Sequence, residues 1–218
     1  MTNLKKTMIL YFIGYFILGN IIVNILPDSW YMYGQLILVV MTFFLTIYYA
    51  KDYFNINFIK DMEYCLNKSI KLGIYTFIIV MISITLNSIS RSLNLASSTS
   101  NNNHITVLIN NYPIITGFII ILFLPFIEEI VFKWQLFKNT KFLVGHSFTK
   151  TIIIGLLFAS LHCLIEIINL DWSVIINFIN YLLFYCCTMY TYSKSKNLMV
   201  PILIHCLYNA ITFILVTF

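Results

Sequence analysis

Runs of apolar residues about twenty long, separated by short polar links, make up nearly the whole chain. A helix needs about twenty such residues to cross a hydrocarbon core about 30 Å thick. Seven stretches reach that length: 7–26, 30–50, 72–89, 113–137, 150–168, 172–192 and 198–218. The pattern predicts an all-α polytopic bundle of about seven transmembrane helices. The first run follows Lys5 and Lys6, exceeds a signal-peptide core and has no small-x-small cleavage site, so it is expected to stay as an uncleaved span.

The links carry the topology. With the N-terminus cytoplasmic, every basic residue except Arg91 lies at the inner ends of the spans, as positive-inside orientation requires. The C-terminus is then outside. The inner link 51–70 alternates Lys with Phe54, Ile56, Phe58, Ile59, Met62 and Tyr64, which suits either an amphipathic helix on the membrane surface or a plain connecting loop. The outer stretch 97–103, rich in Ser, Thr and Asn, reads as a solvated loop.

Composition narrows the class further. Hydrophobic residues form 60% of the 218 and charged ones only 10%, too few to clothe a soluble domain. The chain is therefore an integral membrane protein, expected in the cell membrane. Its formal charge of +5 is accounted for by topology, so no nucleic-acid partner is implied. Cys65, Cys163, Cys186, Cys187 and Cys206 are odd in number and mostly within apolar helices, which argues against a disulfide framework. One integral bundle is expected, with N-terminal helices over 1–112 and a chemistry-bearing core over 113–218.

Six ionisable side chains interrupt the apolar runs, and they fall in three spans only: Glu128, Glu129 and Lys133, then His162 and Glu166, then His205. A charge at bilayer depth costs at least about 2.5 kcal/mol, so such residues mark a functional site by default. Glu129 and Lys133 stand four apart on one helix face, in the favourable order for an ion pair. Glu128 is turned about 100° away. One glutamate can thus be neutralised while the other faces a cavity as a general base for water. Phe158 and His162 share a face, which Glu166 continues one turn on; Glu166 could orient His162 or simply face water. His205 and Asn209 are again four apart, and both can donate to an oxyanion. At 1.5 Å per residue, Glu128, His162, His205 and Asn209 lie about 10–18 Å from the cytoplasmic ends of their helices, so they can meet.

Glu128-Glu129-x-x-x-Lys133, Phe158-x-x-x-His162 and His205-x-x-x-Asn209, in that order on late spans, resemble the three motifs of the CPBP family of intramembrane proteases, also called the Abi or CAAX-protease-like family. The family includes type II CAAX prenyl endopeptidases and bacterial members linked to bacteriocin self-immunity and peptide maturation. The resemblance covers about 113–218. It implies a water activated by Glu128 with His162, an oxyanion stabilised by His205 with Asn209, and support from Glu129, Lys133 and Phe158. It also implies a membrane-associated protein or peptide substrate cut near the cytoplasmic face. The chain departs from the family where Lys133 replaces the usual Arg, a point charge in place of a bidentate fork. A zinc ion held by Glu128, His162 and His205 is one form of the chemistry, and metal-free activation of water is the other. Two other classes compete: a non-catalytic membrane scaffold that keeps the fold, and a proton-coupled transporter, which would want internal repeats that the sequence lacks.

Overall fold

The computed structural model describes Tyr11 and residues 28–96, 98–138 and 147–217. Among these residues there is no strand. The elements are α1 (Asp28–Asn67), α2 (Ser69–Ser92), α3 (Ser100–Asn111), α4 (Pro113–Lys138), α5 (Ser147–His162), α6 (Leu164–Ile168), α7 (Ile175–Ser195) and α8 (Met199–Thr217). Among the described residues, five helices are long and apolar enough to cross a membrane: 33–51 within α1, α2, α4, α7 with its leading turn, and α8. The run expected at 7–26 lies outside the described residues, Tyr11 apart.

Three expectations need correction. The inner link 51–70 is not a loop, because α1, 40 residues long in all, continues through it as far as Asn67 without a break from the span before it. No Gly or Pro lies between Lys51 and Asn67 to end the helix, which at 1.5 Å per residue is about 60 Å long. The outer stretch 97–103 is not wholly loop either. Its Thr99 accepts from the backbone N–H of Asn102 and starts α3, a preferred N-cap arrangement. The third concerns 150–168, which is broken at Cys163 into α5 and the short α6.

The far part of α1 fixes the turn that launches α8. Leu198 donates its backbone N–H to the Tyr53 hydroxyl at 2.9 Å, and that hydroxyl donates to Asp61 at 2.5 Å. Asn197 donates to the Asp61 carbonyl and accepts from the Met199 N–H. Within the bundle, Ser83 of α2, Asn180 of α7 and Tyr208 of α8 share a hydroxyl-centred junction at 2.8 and 3.0 Å, polar glue of the kind membrane helices use. Helices α5 and α7 meet at Gly155, where a Cβ would stand 2.8 Å from Leu182 and 2.9 Å from Tyr185. Only glycine lets them approach this closely, and the approach brings Phe158 and His162 against α7.

Candidate active site

Helix α4 supplies the carboxylates. It is not a uniform α-helix: π-helical turns occupy Ile119–Phe123 and Ile130–Lys138, flanking the α-helical Leu124–Glu129. Pro125 lies just after the first of them. A proline inside a helix removes one backbone donor and crowds the preceding turn, and a widened turn relieves that crowding. Glu128 and Glu129 come within one turn of it, both buried.

Their surroundings separate the two. Glu129 is 1% exposed and forms an ion pair with Lys133, itself 1% exposed. Lys133 also lies over the Tyr185 ring at 4.7 Å. The other oxygen of Glu129 accepts from Nδ1 of His205 at 3.0 Å. Glu128 points instead at two imidazoles, with Nε2 of His162 and Nε2 of His205 each 3.9 Å from one of its oxygens. That separation is too long for a direct hydrogen bond and suits a bridging water.

Both imidazoles are tied from behind. His162 donates from Nδ1 to the Phe158 carbonyl at 2.9 Å, as His205 does to Glu129. The outer bond of a histidine decides what its inner nitrogen can do. With Nδ1 protonated, each ring turns Nε2 toward Glu128, as a lone pair where the ring is neutral and as an N–H where it is protonated. His162 packs on Phe158 and Tyr181 with ring centroids 4.3 and 4.5 Å away, and His205 meets Phe184 edge to face at 4.6 Å. These contacts leave the rings little freedom to turn.

The structure thus brings together Glu128, His162 and His205, with Glu129, Lys133 and Phe158 behind them. Asn209 is one turn from His205, and its amide donates to the Ile120 carbonyl at 2.7 Å. Glu166 does not join the site. The break at Cys163 turns it away from His162, and it is buried where it accepts the backbone N–H of Ser100 at 2.5 Å, at the start of α3. Neither sequence reading of Glu166 survives: it neither orients His162 nor faces water. Replacing it with Ala is expected to lower the melting temperature in detergent by about 2–4 °C, the loss of roughly one cap-like hydrogen bond. An unchanged melting temperature would show that this bond does not hold α3.

Sequence reasoning assigned no chemistry to the sixth span, yet Tyr181, Phe184 and Tyr185 of α7 wall the site. The signal was present. Tyr181, Phe184, Tyr185 and Thr188 have the i, i+3, i+4, i+7 spacing of one helix face, and Phe184, Tyr185 and Thr188 are buried.

The donor chemistry of Glu128, His162 and His205 suits a zinc ion, since each histidine has its outer nitrogen anchored, as ligating histidines do. Among the described residues, however, no three His, Cys, Asp or Glu side chains stand close enough together to hold a metal ion.

Compared with protein families, residues 110–211 match the family described as type II CAAX prenyl endopeptidase Rce1-like. The matched stretch contains all three motifs and nearly coincides with the segment that carries the sequence resemblance. No curated protein and no solved structure matches the chain.

Proposed function

From the match of residues 110–211 to the type II CAAX prenyl endopeptidase Rce1-like family, which agrees with the CPBP resemblance of the motifs, we propose that the protein hydrolyses a peptide bond of a membrane-associated substrate by direct attack of water. The observation that carries the reading is the placement of both Nε2 atoms 3.9 Å from the Glu128 carboxylate, inside the bundle.

A water seated between Glu128 and His162 donates one hydrogen to each. Glu128 takes a proton as the water oxygen bonds to the scissile carbonyl carbon, and the carbonyl oxygen becomes an oxyanion. A doubly protonated His205, its Nδ1–H held by the Glu129 carboxylate, donates from Nε2 to that oxyanion. Asn209 has a second amide hydrogen to offer there. The C–N bond breaks as Glu128 passes its proton to the leaving amine, so that the water is divided between the new carboxyl group and the new amine.

The substitution of Lys for the family's Arg is compatible with this scheme, because Lys133 reaches Glu129 directly and rests on Tyr185. A scaffold without activity therefore loses the observation that favoured it. The positions of the lysines orient the cleaved bond toward the cytoplasmic face of the cell membrane. Maturation of a prenylated protein or of a secreted peptide fits such a site, as does self-immunity to a bacteriocin.

Membranes carrying the protein are expected to cleave a farnesylated CAAX peptide, and membranes with His162→Ala at equal abundance are expected not to. Peptidomics of cells with wild type or Glu128→Ala would identify the natural substrate. Equal cleavage by wild type and His162→Ala would end this mechanism.

A further inference from the structure

Asn209 has an amide hydrogen available for the substrate, but the hydrogen bond that its side-chain amide donates goes elsewhere. The acceptor is the carbonyl of Ile120, inside the π-helical turn Ile119–Phe123. In an α-helix this carbonyl would take the N–H of Leu124, four residues on. Here Leu124 donates to Ile119, five residues back. At the same five-residue spacing, Ile120 would be served by residue 125. That residue is Pro125, which has no N–H. The wide turn and the proline together withdraw both regular donors from one carbonyl, and the Asn209 amide stands 2.7 Å from it.

The winding of this turn sets the direction of the side chains beyond it. A π turn holds about one residue more than an α turn, so every downstream side chain stands about 100° from where an unbroken α-helix would place it. Glu128 lies just downstream. Rewound as α-helix, α4 would present Ile127 at the position of Glu128, and Glu128 at that of Glu129.

We propose that Asn209 is a positioning residue: its amide replaces the backbone donor that Pro125 removes, and so holds the wide turn of α4 that aims Glu128 at the two histidines. Helix α8 then acts twice on α4, through His205 on Glu129 and through Asn209 on the turn above it. The inference rests on Glu128 as the working carboxylate, but its test reads helix register instead of proteolysis, so the two can fail separately.

Four proteins decide it: wild type, Asn209→Ala, Pro125→Ala and the double variant. Asn209→Ala leaves a buried carbonyl without a donor, and a fall of about 3–6 °C in melting temperature in detergent is expected. Pro125→Ala restores an N–H, so removing Asn209 in that background is expected to cost less than about 1 °C. Equal losses in the two backgrounds would overturn the lock. The second readout is modification by dicyclohexylcarbodiimide, with mass spectrometry of the peptide holding both glutamates. In wild type Glu128 is expected to be labelled and Glu129 shielded by Lys133; in Asn209→Ala the labelling of Glu128 is expected to fall severalfold. Unchanged labelling would mean that Asn209 does not set the register, and would return it to a role toward substrate alone. An Asn209→Ala protein that accumulates only when Pro125→Ala is also present supports the lock as the melting data would.

Discussion

Glu128→Gln is expected to slow peptide cleavage by about 10²- to 10⁴-fold, the range that loss of a positioned general base produces, while leaving the protein folded and abundant. Gln has the shape of Glu but cannot take a proton from water. The structure explains why folding is spared: Glu128 faces two imidazole nitrogens at 3.9 Å and makes no ion pair with a lysine, in contrast to Glu129. Glu129→Gln should behave differently and cost both rate and stability, because Lys133 and His205 lean on that carboxylate. Rates of cleavage in membranes, normalised to the amount of folded protein, separate the two variants. Wild-type cleavage by Glu128→Gln would mean that the attacking water is activated elsewhere.

Lys133→Met is expected to be the most destabilising single change in the site. The lysine is 1% exposed, and its partner Glu129 is as deeply buried. Removing one member of a buried pair leaves the other charge uncompensated, at a cost of about 3–5 kcal/mol. In a chain of this size that corresponds to a fall in melting temperature of about 10 °C or more. Lys133→Arg keeps the charge and can still stack on Tyr185, so it should melt close to wild type. A Lys133→Met protein that melts like the parent would show that Glu129 carries no charge in need of compensation. Melting in detergent, tracked by tryptophan fluorescence, is sufficient for all three.

The residues that the structure brings together were largely readable from sequence because apolar spans make each charge conspicuous. Glu129 and Lys133 declare their pairing by four-residue spacing, and Glu128, His162 and His205 betray a common depth. Whatever depended on local backbone winding was hidden. The break at Cys163 carries neither Gly nor Pro, and it is this break that sends Glu166 to α3 and leaves His162 to Phe158 and Tyr181. Pro125 did announce an irregularity, yet nothing in a linear pattern says that the turn before it widens, or that an amide from α8 serves the exposed carbonyl. The continuation of α1 past Lys51 was hidden for a simpler reason. A charged segment without breakers is compatible with helix or loop until something packs on it, and here the turn at Asn197 and Leu198 does so.

The contacts of α3 have a consequence for traffic. Ser100 is bound to Glu166, Asn102 to Tyr181 at 2.9 Å, and the Ala96 carbonyl just before α3 to Asn177 at 2.9 Å. Tyr181 also stacks on His162. Among the described residues, the end of the bundle that carries α3 is therefore tied across α6 and α7 beside His162. On the proposed mechanism, a substrate approaching His162 from this end has to part these bonds. Access from that side is then tied to the stability of α3 itself, so that whatever loosens the start of this helix also opens the way to the imidazole.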